Sequence, residues 1–289
     1  MFVRRATPGL YAIRLVLFFY ALVCVLPFIL ILVTSFATET SVIRNGYSFF
    51  PSELSLEAYR MLINPSSSLP GSYAVSSFST LVGTLIGVAI TYGAGYTLAN
   101  RQCKYRNALA LYFFVTMVFS AGMVPWYMVS RALGCYDNIW ALIVPSLMFS
   151  PFNMFLVRNF VREIPDSLNE SARIDGANEF LIAVRIYFPL CLPVLATITL
   201  FYAIGYWNNY FNAVMLVNKP ELFNLQMLLF KIQSEIKMLS SVAVGVTVNP
   251  PRESFKMATC VVTMGPIILL YPFLQRYFVK GMTVGAVKG

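Results

Sequence analysis

Six segments of this chain contain no charged residue, and each is long enough to cross the hydrocarbon core of a lipid bilayer. A transmembrane helix needs about 20 predominantly apolar residues. The segments cover residues 15–38, 73–100, 107–130, 138–157, 186–218 and 257–275. We therefore predict an all-α membrane protein with six transmembrane helices. The long fifth segment leaves room for a re-entrant or interfacial piece.

The composition supports lipid as the solvent for much of the surface. Of the 289 residues, 58% are hydrophobic and only 11% are charged, whereas about 25% are charged in an ordinary soluble domain. The chain has no histidine, the commonest general base and metal ligand. Its five cysteines form no C-x-x-C pair, so they are interpreted as apolar packing residues rather than metal ligands. We expect neither an enzyme nor a metal site.

The distribution of basic residues predicts the orientation. Six spans place both termini on one side of the membrane. If that side is the cytoplasm, it carries more than half of the 21 basic residues but fewer than half of the 12 acidic residues. Positive charge is concentrated on the cytoplasmic side of membrane proteins, so both termini are predicted to be cytoplasmic. The same asymmetry explains the net charge of +9 without a nucleic-acid partner.

The predicted spans contain no side chain that could supply energy for transport. Proton-coupled carriers use ionisable residues inside the membrane, and none lies in these six segments. The chain also lacks G-x-x-x-x-G-K-[ST], the loop that holds ATP phosphates. Energy for any transport would then come from another polypeptide, which would bind ATP and Mg²⁺. A self-contained secondary carrier with a sodium site made of carbonyl and hydroxyl groups remains an alternative.

The densest run of charge lies between the fourth and fifth segments. Ser167 and Glu170 have the spacing of a capping box and predict a helix over residues 168–175. Gly176 suits the left-handed end of that helix, and Asn178 can begin a second helix over residues 179–185. The result is a short helix–turn–helix knob. Its surface fits docking on another protein, or an amphipathic loop lying on lipid headgroups.

This run resembles the coupling loop of ABC importer permeases. The sequence E-S-A-R-I-D-G-A, followed by Ile186-x-x-Pro189, is similar to the family pattern E-A-A-x-x-x-G and I-x-L-P. Ser171 replaces the first alanine of that pattern, and Phe188 replaces its leucine. The variant A-R-I-D-G-A is typical of the carbohydrate-uptake class.

Three further stretches resemble the smaller permease subunit of maltose-type importers, and most closely the permeases of complex-oligosaccharide importers. They are Leu133–Pro145, Tyr206–Phe211 and Phe273–Gly289. The resemblance implies a type I ABC importer permease fold in a single domain over residues 1–289, in a bacterial cytoplasmic membrane. It implies import of a carbohydrate, most simply an oligosaccharide, although another polar solute fits the same class.

The resemblance also implies partners: a second permease, cytoplasmic ATP-binding subunits and an extracellular solute-binding protein. The ATPase contact would lie in a coupling loop at residues 162–185, and a cytoplasmic tail at residues 276–289 would either reach between the ATPases or be disordered. The coupling residues would be Glu170, Ser171, Ala172, Asp175, Gly176, Ala177, Ile186 and Pro189.

Polar and aromatic residues in the fifth segment predict a substrate path. Buried amides and aromatic rings are the groups that bind sugars, and asparagine is costly in lipid unless it faces water or a partner helix. Interfacial anchoring and hydrogen bonds between helices are the alternative roles. The candidates are Tyr206, Trp207, Asn208, Asn209, Tyr210 and Asn212.

Two long outer loops are expected, at residues 39–72 and 219–256. The first would be a docking surface or a simple cover. The resemblance implies that the second reaches into the binding protein, through Ser240, Ser241 and Gly245.

Overall fold

The computed structural model describes residues 8–64, 68–145, 147–242, 253–266 and 268. These residues are helical, apart from turns and one isolated β-bridge between Ala37 and Leu54. The chain divides into two compact units, residues 1–69 with 229–265, and residues 70–228 with 266–289. The all-helical prediction is confirmed for the described part of the chain.

The first unit contains a long apolar helix and two short ones. Helix α1 spans Pro8–Ser35, and its 28 residues correspond to about 42 Å at the rise of an α-helix. The short helices are α2, Glu39–Asn45, and α3, Glu57–Ile63. The Glu39 carboxylate accepts hydrogen bonds from the backbone N–H groups of Glu253 and Ser254 at the start of a helix over residues 253–266. This carboxylate therefore caps a helix that is distant in sequence.

A second hydrogen bond ties the same region to Tyr47. The Tyr47 hydroxyl donates to Glu253 Oε2 at 2.6 Å. This hydrogen bond, together with burial and the charge of Glu253, raises the pKa of Tyr47 to about 12. Within the predicted outer loop at residues 39–72, residues 39–64 are therefore an organised segment with helices and polar contacts of their own.

The second unit contains the remaining helices. They are α4 Leu69–Ala99, α5 Arg106–Val118, α6 Met123–Ala132, α7 Trp140–Ile143, α8 Pro151–Glu163, α9 Asp166–Ile174, α10 Glu179–Ile182, α11 Phe188–Leu190, α12 Leu192–Trp207, α13 Phe211–Leu216 and α14 Leu225–Val242, which continues into the first unit. A π-helical turn, Ala183–Tyr187, joins α10 to α11.

Among the described residues, two helices are long and apolar enough to span a membrane, Tyr11–Ser35 and Leu69–Ala99. Two bent helix pairs raise the number to four if each pair is one span. The chain bends by 118° between α5 and α6, and by 82° between the segment Glu179–Leu190 and α12. The first two predicted segments are thus single helices, whereas the third is bent and the fifth is broken.

The predictions of continuous helices for residues 107–130 and 138–157 are wrong. Residues 119–122 are not helical, and Gly122 has a φ of +84°, a value that ends regular helix. In the fourth segment α7 has only four residues, and α8 begins afresh at Pro151 after Ser150, whose hydroxyl accepts from the Asn153 N–H. Pro151 cannot donate the hydrogen bond that a continuing helix requires, which favours the break before α8.

Close helix packing in the second unit depends on glycines of α4. A Cβ on Gly95 would lie 2.7 Å from Val157 Cγ1 and 3.1 Å from the Met154 carbonyl oxygen. A Cβ on Gly87 would likewise lie 3.1 Å from Cδ1 of the Tyr202 ring. These glycines let α4 approach α8 and α12 at backbone distance.

We predict that Gly95→Ala destabilises the protein, since the added methyl group overlaps Val157. Overpacking of this kind costs ~1–3 kcal/mol. Gly93 is the matched control on the same helix, because a Cβ there meets no atom within 4 Å, and Gly93→Ala gains helix propensity instead. Thermal unfolding of the two purified variants checks the prediction. Equal melting temperatures would contradict the packing role of Gly95.

Candidate functional site

The coupling knob, residues 165–190, begins with α9. The predicted capping box is wrong: α9 starts at Asp166, directly after Pro165, and no side chain caps its first turn. Ser167 therefore lies inside the helix. Proline has a fixed φ, here −58°, that suits the residue entering a helix, and the Asp166 carboxylate is placed favourably at the positive end of the helix dipole.

The turn after α9 is the one that the sequence predicts. Gly176 has a φ of +80°, its N–H donates to the Arg173 carbonyl, and the Ala177 N–H donates to the Ala172 carbonyl, both at 3.0 Å. This pair of bonds is the Schellman arrangement, which favours glycine. The Asn178 side chain then accepts from the Leu181 N–H at 2.8 Å and starts α10. The two helices of the knob are thus joined by a turn of fixed geometry.

One face of the knob is buried in the core of the second unit. Ala172 is only 7% exposed and belongs to a cluster with Tyr96, Ile182 and Tyr187. Ala177 and Ile186 pack partly against the same cluster. The alanines of the family pattern therefore anchor the knob to α4 and to the segment that enters α12.

The opposite face is exposed and mixes charge with apolar side chains. Glu170, Ser171, Asp175, Gly176 and Pro189 are all exposed. Two large apolar side chains accompany them, Ile174 at 86% and Phe180 at 77% exposure. Sequence reasoning missed both as surface contacts. Their position could have indicated a surface contact, because each lies within four residues of Gly176 in an otherwise polar run.

Polar contacts fix the knob to the end of α4. Arg173 forms an ion pair with Glu179 across the turn. The Tyr96 hydroxyl and the Asn100 amide donate to the same Glu179 carboxylate, at 3.1 and 3.3 Å. Arg101 pairs with Asp166 at 3.1 Å. These contacts connect α9 and α10 to the end of α4.

The candidate path residues separate into two groups. Three of them are buried and donate to backbone carbonyls at the end of α7 and just after it: Tyr206 Oη to Ile143 at 2.9 Å, Asn209 Nδ2 to Leu142 at 3.0 Å and Asn212 Nδ2 to Pro145 at 2.8 Å. We call these three hydrogen bonds the carbonyl latch. It joins the stretch Leu133–Pro145 to the stretch Tyr206–Phe211 and its neighbours, so two separate sequence motifs form one packed element.

Asp137 adds a further connection between these two stretches. Its carboxylate accepts from the backbone N–H groups of Asn218 at 3.0 Å and Lys219 at 2.9 Å. The N–H of Lys219, followed by that of Asn218, lowers the pKa of the Asp137 carboxyl below its usual range. The carboxylate therefore stays ionised and holds the end of α13 in place.

The remaining path candidates are arranged differently. Asn208 and Tyr210 are exposed, and Asn208 Oδ1 accepts from Gln226 Nε2 at 3.3 Å. Trp207 is buried, with its ring edge-to-face against Tyr73 at 6.4 Å between centroids. Asn208 and Tyr210 are thus the candidates whose side chains reach the surface of the second unit.

The predicted binding-protein loop is only partly described. Residues 225–242 form α14, so the helix includes the backbone of Ser240 and Ser241. Gly245 and the tail at residues 276–289 lie outside the described residues. Within the described part of the chain, no group of three or more His, Cys, Asp or Glu side chains could hold a metal ion.

Comparison with known proteins places this arrangement in a family. Residues 92–284 match the family described as binding-protein-dependent transport system inner membrane component. The chain is 40% identical over 272 residues to Protein LplC of Bacillus subtilis strain 168, covering 92% of this chain and 90% of the relative.

Two further relatives cover almost the whole chain. The polygalacturonan/rhamnogalacturonan transport system permease protein YtcP of the same organism is 39% identical over 280 residues, covering 94% of this chain and 96% of the relative. A chain of the crystal structure of a bacterial ABC transporter involved in import of the acidic polysaccharide alginate superposes with a TM-score of 0.82 at 30% identity, covering 96% of this chain and 99% of that one. The chain therefore belongs to the family of inner membrane components of binding-protein-dependent transport systems.

Proposed function

We propose that this chain is one of two permease subunits of an ATP-driven importer for oligosaccharides, and that it crosses the cytoplasmic membrane six times with both termini in the cytoplasm. The observation that carries the proposal is the knob. It buries Ala172 in the core of the second unit and exposes Glu170, Asp175 and Ile174 on the opposite side. A membrane-anchored helix with an exposed mixed face fits docking on a soluble partner better than lying on headgroups.

The geometry supports a lever mechanism. An ATPase bound to the exposed face would move α9, and the contacts of Arg173, Glu179 and Tyr96 would carry that movement to α4. The π-helical turn Ala183–Tyr187 lies inside the knob and leads through α11 to α12, which carries the latch residue Tyr206. Binding energy drives such a change only if the docked partner favours one conformation over the other.

Family membership and the knob favour this importer over a self-contained secondary carrier. The partners of the proposed subunit are a second permease, ATP-binding subunits that hold ATP and Mg²⁺, and an extracellular solute-binding protein. This chain itself would bind no cofactor.

The substrate class that fits best is an acidic oligosaccharide. One relative is a polygalacturonan/rhamnogalacturonan transport system permease protein, and the solved structure is that of a transporter involved in import of the acidic polysaccharide alginate. The Arg131 guanidinium lies 4.5 Å from the centroid of the Tyr136 ring and 5.8 Å from that of Tyr127. An arginine beside aromatic faces suits a sugar ring that carries a carboxylate.

Gly176→Asp is predicted to uncouple ATP hydrolysis from uptake. Asparagine and aspartate have nearly the same shape and both tolerate a positive φ, so Gly176→Asn is the matched control. The aspartate adds a negative charge beside Asp175 on the exposed face, and we expect uptake at least tenfold below that of the asparagine variant. Uptake and ATPase activity are measured on the assembled transporter. Equal uptake by the two variants would exclude a charge-sensitive contact at this turn.

We predict that a variant of the carbonyl latch lowers stability, whereas variants of the exposed path candidates lower uptake. Asn212→Leu removes the donor to the buried Pro145 carbonyl, and we expect a loss of stability of ~1–3 kcal/mol. Asn208→Ala and Tyr210→Ala are expected to leave the melting temperature unchanged and to lower oligosaccharide uptake several-fold. Thermal unfolding and uptake are measured on all three variants. Normal uptake by both Asn208→Ala and Tyr210→Ala would remove these residues from the path.

We predict that a strain lacking this chain loses uptake of labelled oligogalacturonides, and that the wild-type gene restores it. Arg131→Gln is expected to lower uptake several-fold, whereas Arg131→Lys, which keeps the charge, retains more of it. Labelled maltooligosaccharides of the same length serve as the neutral comparison. Restored uptake of the neutral sugars alone would show that the acidic substrate class is wrong.

A further inference from the structure

A polar cavity of about 500 Å³ lies beside the coupling knob. Its walls come from the end of α4, the start of α5, the end of α8 and one side of α9. The charged side chains that line it are Arg101, Arg106, Arg162, Asp166, Glu170 and Arg173. We call it the arginine cavity. Four guanidinium groups and two carboxylates thus line one partly open cavity.

Not all of these charges are neutralised within the protein. Arg101 pairs with Asp166, and Arg173 pairs with Glu179. Neither Arg106 nor Arg162 has an ion pair with any carboxylate among the described residues. Glu170 also lines the cavity and has no ion pair among the described residues, so the lining holds two unpaired guanidinium groups and one unpaired carboxylate, a net positive charge.

A third arginine lies near these two. The Arg158 Nε atom is buried and has no hydrogen-bond partner among the described residues, and its guanidinium lies 5.7 Å from the centroid of the Phe155 ring. Burial, followed by the charges of Arg162 and Arg106, lowers the pKa of Arg158. Arg162 is exposed and Arg106 and Arg158 are half-buried. Neighbouring like charges repel one another, and an anion bound among them would relieve that repulsion.

The position of the cavity indicates which anion is available. The apolar helix α4 ends at Ala99, and the apolar helix α5 begins at Arg106, so both helices end at the cavity. The ends of membrane helices lie at the depth of the lipid headgroups. Along α5, the side chains of Leu111 and Tyr112 are exposed and suit contact with acyl chains.

We propose that the arginine cavity binds the phosphate group of an anionic phospholipid headgroup, with Arg106 and Arg162 as its direct ligands. The guanidinium fork matches phosphate oxygens and forms paired, charge-assisted hydrogen bonds with them. Arg158 supports the site by its charge. Because α9 forms one wall, the bound phosphate also bridges the knob to the ends of α5 and α8 and holds the knob in its docking position.

The test counts phosphatidylglycerol molecules that remain bound to the purified, fully assembled transporter, by native mass spectrometry during titration with that lipid. The Arg106→Gln/Arg162→Gln variant is expected to bind phosphatidylglycerol at least tenfold more weakly at one site. Arg185→Gln is the matched control, because Arg185 is an exposed arginine of the knob that does not line the cavity. Equal retention by the double variant and the wild type would overturn the proposal.

Two further arms identify the source of the phosphate. Phosphatidylcholine at the same concentration is expected not to saturate the site, and millimolar inorganic phosphate is expected not to displace the bound phosphatidylglycerol. Complete displacement by inorganic phosphate, without a preference for the anionic lipid, would overturn the lipid assignment in favour of a soluble phosphate.

A labelling experiment on the wild-type transporter does not depend on whether any variant assembles. A phosphatidylglycerol analogue with a photoreactive headgroup is expected to label the peptides that contain Arg106 or Arg162. Labelling confined to other peptides would overturn the proposal. All of these measurements are made without transported sugar, so their outcome is independent of the substrate class proposed above.

Discussion

A backbone carbonyl without a donor is costly wherever water is excluded, and the end of α7 with the residues after it presents three carbonyls that need donors. Leu142 and Ile143 close a helix that stops after four residues, and Pro145 lies just beyond it. In an apolar surrounding each such group has to be satisfied by the protein itself. Tyr206, Asn209 and Asn212 supply the donors. The position of α12 relative to the broken fourth segment depends on these three bonds.

The same requirement explains why two distant motifs occur together in the chain. The helix break after α7 leaves carbonyls of the stretch Leu133–Pro145 without partners in their own helix. It is tolerable because the stretch Tyr206–Phe211 and its neighbours bring side-chain donors to these carbonyls. Asn224 extends the arrangement, because its amide donates to the Asn209 carbonyl. The residues that match the family pattern in this region therefore hold the two stretches together, in addition to any contact with substrate.

Sequence reasoning predicted those features that depend on local chemistry. Gly176 and Asn178 were identified correctly because a positive φ and a helix start each require a particular type of residue within one turn. The capping box failed because Pro165 and Asp166 offered a competing start two residues earlier, and Ser167 with Glu170 then fell inside the helix. Apolar composition predicted the membrane class but not the breaks at residues 119–122 and between α7 and α8. The apolar composition of a segment shows only that lipid can surround it. A break in its helix depends on hydrogen-bond donors from residues that are distant in the sequence.

The asparagines of the fifth segment show the same limit at the level of single residues. The sequence offers Asn208, Asn209 and Asn212 as chemically equal candidates for sugar contact, with helix–helix bonding as the alternative. The structure separates them by burial: Asn209 and Asn212 are buried donors to carbonyls, whereas Asn208 is exposed. Their roles follow from which carbonyls the α7 break leaves unpaired, and that break lies more than 60 residues away. The polarity of a residue in a membrane helix shows that a partner is needed, but only the fold decides whether that partner is backbone, lipid or substrate.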